Sequence, residues 1–367
     1  MPGRDITRLR NRAARVFLFT LLMWAGVPWA TPARSQTPAP QSQTQPSTTP
    51  PTTTPPTIAP APGAAPEQKP EPKDDQNKNL NDQGVFVFRK DVDEVLLHAS
   101  VVDDKQHIVT TLDRNSFSVF EDGKPQNIIS FHHEDIPVSM GIIIDNSGSM
   151  REKRNKVNQA ALNLVRSSNP KDEVFVVNFN DEYYLDQDFT NELLKLKEAL
   201  EKIDARGGTA LYDALVASAE HLKRNARLEK KVLFVVTDGE DNASNENLEQ
   251  AVKQLQEENG PSVYAIGILG SEEHPKRAKR ALEILAQRTG GIAFFPKTLD
   301  EVDEISRTVA RDIRNQYTIG YHPTNPRRNG GFRQIRVDAR AKGHGKMTVR
   351  TKSGYYAGAQ PAAGGSK

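Results

Sequence analysis

Cysteine is absent from the 367 residues. Disulfide staples, thiolate nucleophiles, thiolate zinc sites and lipid attachment at an N-terminal cysteine are thereby excluded. A charge excess is lacking as well: 49 Lys+Arg against 47 Asp+Glu leave a net charge of +2. Such a balance gives no electrostatic reason to expect nucleic acid or an acidic bilayer as the partner. Long apolar runs are also missing. The run from Val16 to Val27 covers about 12 residues, whereas a bilayer span needs ~20.

What surrounds that short run is informative. Arg4, Arg8, Arg10, Arg12 and Arg15 precede it, and the small residues Ala30, Ala33 and Ser35 follow it. A basic start, a short apolar stretch and a small-x-small pair at Ala33 and Ser35 read as an export signal over residues 1–35. The expectation is an exported chain, periplasmic or extracellular, with no membrane span in its mature part. Retention of the signal as an anchor is the alternative.

Thirteen of the 24 prolines lie between Pro32 and Pro72, among Thr, Gln, Ser and Ala. A stretch so poor in apolar residues cannot bury a core, so residues 36–83 are expected to be a disordered, semi-rigid spacer. A Pro-rich docking ligand is the sharper alternative. From Gly84 the composition favours strands: Val85–Phe88, Val95–Val102, Phe117–Phe120 and Ile128–Phe131 are rich in β-formers. Asp122-Gly123 between the last two predicts a hairpin. Residues 84–135 thus form a small β unit whose core is thin if it stands alone.

The pattern changes at Pro137. Val138–Ile144 is almost continuously apolar, as expected for a strand buried on both faces. Helix, strand, helix and helix follow at 153–166, 174–179, 191–203 and 210–224. Further alternation places strands at 231–237, 263–268 and 292–295, with helices at 245–256, 276–288 and 299–314. The fold class is therefore α/β, a doubly wound and mostly parallel sheet with helices on both faces, over residues 136–314. Strands return at 316–321, 332–339 and 346–350, so residues 315–357 are the C-terminal part of a flanking all-β, sandwich-like unit. Each β segment is too small to be comfortable alone, which suggests one sandwich with the α/β block inserted. Residues 358–367 read as a disordered tail.

Chemistry concentrates where the first apolar strand runs out. Asp145-Asn146-Ser147-Gly148-Ser149 sets one carboxylate and two hydroxyls at alternate positions, with Gly148 permitting a tight bend. Gly207-Gly208-Thr209 opens a helix, and Thr237-Asp238-Gly239 ends another buried strand. The carboxyl ends of strands near a reversal of strand order form the natural ligand crevice of an open α/β sheet. An all-oxygen set of two carboxylates and three hydroxyls suits a hard divalent ion: Mg²⁺ first, with Mn²⁺ or Ca²⁺ as alternatives. Taken singly, each segment reads as a helix cap or a polar turn. Only their joint occurrence, each after the right element, points to metal.

Asp145-x-Ser147-x-Ser149, Thr209 and Asp238, in that order on alternating strands and helices, resemble the metal-ion-dependent adhesion site of von Willebrand factor A domains. The resemblance covers about half of the chain, residues 136–314. It implies that Asp145, Ser147, Ser149, Thr209 and Asp238 surround one divalent cation, directly or through water. It also implies that a protein partner completes the coordination with an Asp or Glu carboxylate. The segment Glu121–Gln126 is similar to bacterial exported proteins with this domain, of the acidobacterial type.

Other candidates receive blander readings. Glu240, Asp241 and Asn242 could extend a cation site but read as a solvated loop. His132-His133 read as surface histidines, and Lys276, Arg277, Lys279, Arg280 and Arg327-Arg328 as solvated faces. No Glu–His pair or GxSxG elbow lies near the metal motif in sequence, so no catalytic residue is assigned and an enzyme is not expected. The leading expectation is an exported, metal-dependent protein-binding module. A structural envelope component with a closed or metal-dead site and a metal-assisted hydrolase are the rivals. Solvent access to the ion separates the first two. In related domains the last helix can shift and alter the metal site, so residues 299–314 are a candidate route for coupling between domains.

Overall fold

Strand β1 (Val95–Val102) is the first element of a computed structural model that describes residues 94–202, 205–270, 274–325 and 330–358. The expected export signal, the spacer, strand Val85–Phe88, Arg327-Arg328 and residues 359–367 lie outside the described residues. After β1 come β2 (Phe117–Glu121), β3 (Lys124–Gln126), β4 (Ile128–His132) and β5 (Val138–Asp145). Helix α1 (Arg154–Ser167), β6 (Glu173–Phe179), β7 (Tyr183–Thr190), α2 (Leu193–Glu201) and α3 (Leu211–Asn225) follow. Then come β8 (Lys230–Thr237), α4 (Leu248–Leu255), β9 (Ser262–Gly267), α5 (Pro275–Thr289), β10 (Ala293–Phe294) and α6 (Glu301–Arg314). Four strands close the chain: β11 (Tyr317–Tyr321), β12 (Phe332–Ala339), β13 (Thr348–Arg350) and β14 (Gly354–Tyr356).

The central sheet has the order β10-β9-β8-β5-β6-β7. All its neighbours run parallel except the β6–β7 pair. Every residue of β5 is buried, because helices cover both faces. The period of two divides its side chains cleanly. Ile142 and Ile144 join Leu162 and Leu164 of α1, Leu196 of α2 and Val302 and Val309 of α6 in one apolar layer. Ile143 points the other way, among Leu211 and Leu215 of α3, Leu255 of α4 and Leu282 and Leu285 of α5. Each such fully buried side chain contributes about 1.5–3 kcal/mol, so the strand is fixed in register by its own sequence. The chain leaves β5 toward β6 on one side and later returns to β8 on the other. Strand order therefore reverses between β5 and β8, and a crevice opens at their carboxyl ends.

The flanking β material pairs across the inserted block. β1 lies between β11 and β13, with Leu97 opposite Ile319 and Val101 opposite Val349. β2 pairs with β12, Val119 facing Val337. Two four-stranded sheets result, β13-β1-β11-β4 and β14-β12-β2-β3. Leu97, Val101, Phe117, Val119, Ile128, Ile319 and Val337 share one buried core between them. Pooling both chain segments gives this core the apolar residues that neither half supplies alone.

Two departures from the sequence expectation are instructive. The Asp122-Gly123 turn forms, both residues at positive φ (48° and 77°), and Glu121 pairs with Lys124. The returning strand, however, is the short β3, while Ile128–His132 crosses to the other sheet and pairs with β11. Each apolar run needs one buried face, and placing β2 and β4 in opposite sheets aims both at the same core. Strand β7 was not expected at all. Its residues Tyr-Tyr-Leu-Asp-Gln-Asp-Phe-Thr are exposed or half-buried, because it forms an antiparallel edge with no apolar run to announce it. Helix α4 starts later than residue 245, since Asn247 caps it: its side chain accepts from the Gln250 amide and Gln250 reaches back.

Candidate metal centre

Asp145 is the last residue of β5 and is fully buried. Its Oδ1 accepts the Ser147 backbone amide at 2.7 Å, a local bond that bends the chain away from the strand. Its Oδ2 accepts the Thr237 hydroxyl at 2.6 Å from the neighbouring strand end. Asp238, one residue further, is also fully buried, and its Oδ1 accepts the Ser149 hydroxyl at 2.8 Å. Ser147 and Ser149 hydroxyl oxygens stand 3.1 Å apart. Asp145, Ser147, Ser149 and Asp238 thus converge in one hydrogen-bonded group at the strand-order reversal. Met150, wholly buried below the loop, anchors it to the apolar layer.

Thr209 comes to the same edge on another loop. Gly148 donates to the Gly207 carbonyl at 3.2 Å, and Arg206 donates to the Asn146 carbonyl at 2.8 Å. The Gly207-Gly208 pair packs against Asp181 in the β6–β7 turn. Gly207 has φ +75°, and a Cβ there would meet Asp181 Oδ2 at 2.0 Å. Asp181 Oδ1 in turn accepts the Gly208 amide at 2.8 Å. Thr209 is held by Asn242, whose Oδ1 accepts its amide at 2.9 Å and whose own amide donates to the Thr209 carbonyl at 3.0 Å.

The electrostatics follow from burial. Loss of solvent pushes the Asp145 carboxyl up to about 6; the Thr237 and Ser147 hydrogen bonds pull it down, and nearby Asp238 adds to the rise. Lys153, just before α1, forms an ion pair with Asp238 Oδ2 while remaining partly exposed. The rim is open: Gly148, Ser149 and Gly207 are exposed, whereas the carboxylates form a buried floor.

The donor set fits a hard cation on its chemistry. Among the described residues no cluster of three or more His, Cys, Asp or Glu side chains could hold a metal ion. The site instead offers two carboxylates and the hydroxyls of serine and threonine, which suits an ion that keeps several waters.

Residues outside the expected set do much of the positioning. Thr237 closes an apolar run just before Asp238, a position the sequence could have flagged. Asp181 lies in a turn before an unforeseen strand, so nothing local marked it. Asp241 is no free ligand: it accepts the Tyr212 amide at 2.9 Å and the Ser244 hydroxyl at 2.6 Å, and burial raises its carboxyl. With Asn242 it ties the loop after β8 to the start of α3, where a solvated loop was expected. His133 stacks on Tyr317 at 4.3 Å beside the exposed His132. Lys276, Arg277, Lys279 and Arg280 are all exposed.

The sequence profile of the von Willebrand factor type A domain matches residues 140–308. This stretch is a von Willebrand factor type A domain. The type A domain is therefore the insert, and the sandwich is its frame. Solved structures with similarity include a von Willebrand factor type A protein from Catenulispora acidiphila, 14% identical, covering 73% of this chain and 75% of that one, with a TM-score of 0.43. The PilB minor pilin from Streptococcus sanguinis is 13% identical, with 49% of this chain and 62% of the pilin covered and a TM-score of 0.41. The vWF domain of the type V pili tip protein Mfa5 from Porphyromonas gingivalis is 13% identical, with 49% and 97% covered and a TM-score of 0.40. This chain spans less than two thirds of the pilin. A search of curated proteins finds no match. Among the described residues no helix is long and apolar enough to cross a membrane.

Proposed function

We propose that the chain is an exported, non-enzymatic, metal-dependent protein-binding module. One divalent cation, Mg²⁺ first, would be held by Asp145, Ser147, Ser149, Thr209 and Asp238, and a partner's Asp or Glu carboxylate would complete its coordination. The observation that carries this reading is the open rim above a buried carboxylate floor: Ser149 is exposed, while Asp145 and Asp238 are not. A structural ion that only ties loops together needs no exposed ligand. Here those ties are already supplied by the Gly148–Gly207 and Thr209–Asn242 bonds. Type A domains are typically interaction modules, which agrees with this assignment. Export rests on the basic and apolar pattern of residues 1–35.

The cation supplies an electrophilic position for an outside oxygen. The chain's own residues orient it: Thr237 fixes the Asp145 carboxylate, and Ser149 fixes that of Asp238. A metal-dead scaffold is the second reading, and the Lys153–Asp238 ion pair favours it. Manganese titration of the full chain with acetate or with chloride separates the two. Tighter Mn²⁺ binding in acetate is expected of an ion with an open position, and no uptake in either salt would leave the scaffold.

A further inference from the structure

Lys153 is the one cation that reaches the carboxylate floor by an ion pair among the described residues. Its neighbour Lys156 turns outward, where both it and its partner Asp300 are largely exposed at 2.7 Å. Lys153 turns inward. Its side chain is 18% exposed and its partner Asp238 is 0% exposed. The two residues are distant in sequence, so local helix geometry does not dictate the pair. Lys153 stands at the entry to α1 and makes no capping hydrogen bond there. An ammonium has no lone pair to cap a helix N-terminus, and the contact it makes is with the loop carboxylate of Asp238.

We propose that Lys153 is a positioning residue that couples the cation to its outside carboxylate, an inference that rests on the metal-dependent reading of the site. The charges make the argument. Asp145 and Asp238 bring two negative charges, and a divalent ion between them would give a neutral centre. The Lys153 ammonium adds one positive charge beside Asp238 Oδ2, so the loaded centre carries an excess of one. In a buried floor such an excess is costly unless an anion neutralises it. A partner's carboxylate supplies that anion at the exposed rim. Without a partner, the ammonium weakens the ion's hold; with one, ion and carboxylate strengthen each other, and by linkage the coupling is mutual. Lys153 thus biases the domain toward binding cation and acidic partner together rather than storing the cation alone.

The test titrates Mn²⁺ into the EDTA-stripped full chain, in chloride and in saturating acetate at equal ionic strength, following free Mn²⁺ by electron paramagnetic resonance. Wild type, Lys153→Met, Lys153→Gln, Lys153→Arg and Asp145→Ala are compared, with far-UV circular dichroism verifying that each folds. In chloride, Lys153→Met and Lys153→Gln are expected to bind Mn²⁺ about ten-fold more tightly than wild type, the scale of one unit charge removed at short range near a surface. Acetate should tighten binding in wild type and Lys153→Arg and do so much less in the neutral variants. A wild type that binds nothing in either salt beside a Lys153→Met that does would overturn the proposal, since the ammonium would then exclude the cation rather than couple it to a carboxylate. Equal affinities in wild type and the neutral variants overturn it, as does tighter binding with an unchanged acetate effect. No binding by wild type or by any variant overturns the metal site itself. Equal binding by Asp145→Ala moves the ion elsewhere and overturns both.

Discussion

The sandwich and the strand-end loops both bury carboxylates, but they treat them differently. Inside the sandwich, Glu121 accepts from Arg333 at 3.0 Å and from the Tyr321 and Tyr355 hydroxyls at 2.6 and 2.9 Å. At the junction with the type A domain, Asp312 of α6 accepts from Arg350 at 2.6 Å, Tyr264 at 2.7 Å and Ser100 at 3.1 Å. Each has a guanidinium and hydroxyls of its own. In the loops, Asp145 has a hydroxyl and an amide but no cationic partner, and its neighbour Asp238 has the Ser149 hydroxyl and one partly exposed lysine. A buried carboxylate saturated by fixed partners holds a fold together. Two buried carboxylates whose one counter-ion is a partly exposed lysine beside Asp238 are less fully neutralised.

The comparison breaks most readily at Glu121. Removing one member of a buried ion pair leaves the other uncompensated, so Glu121→Ala is expected to lose about 3–5 kcal/mol of stability in urea unfolding while cation affinity is unchanged. A loss of affinity in the folded variant would show that the two regions are not separate. At Thr237 the expectation reverses. Thr237→Val removes the hydroxyl that orients Asp145 and should weaken cation binding about 10–100-fold, as partners of ligands commonly do. Affinity unchanged in this variant would mean that Asp145 needs no orientation.

The pH dependence sharpens the difference. The Asp145 carboxyl, raised to about 6 by burial in the ion-free protein, holds a proton between the unfolded value near 3.8 and about 6. In that window the folded chain binds the extra proton, so this group's contribution to ion-free stability is complete below about pH 4 and is lost as pH rises through 6. Asp172, at the foot of the sheet, is raised to about 6 as well, again by burial, and adds in the same direction. Cation binding runs the opposite way, since the proton competes with the ion: affinity at pH 5 should be about ten-fold below that at pH 7.5. A flat profile would exclude Asp145 as the group that must ionise. The smallest expected effect is at the junction, where Tyr264→Phe should cost about 1–2 kcal/mol and leave cation affinity alone.

Sequence and structure agree best where burial is symmetric. The apolar run 138–144 and the strands at 231–237 and 263–268 are covered on both faces, so their composition alone marks them. Strand β7 escaped because an exposed edge carries no apolar signature, and β4 was assigned to the wrong partner because a turn signal says nothing about which sheet the next strand joins. At the candidate site, motif spacing marked Asp145, Ser147, Ser149, Thr209 and Asp238, since each follows a recognisable element. Lys153 and Asp181 are not legible, and the sequence marks the positions of Thr237 and Asn242 without the contacts they make. Their importance lies in contacts across 27 to 92 residues of chain, and a lysine in a charged run looks the same whether it turns out or in.

The central claim is that Asp145 and its neighbours hold a divalent cation. Isothermal titration of Mg²⁺ and Mn²⁺ into the EDTA-stripped chain, with the Asp145→Ala variant alongside, tests it most directly. The account predicts one saturable ion per chain, lost in the variant while its circular dichroism stays that of the wild type. Ion uptake that is equal in both proteins, or absent from the intact chain even in acetate, would contradict it.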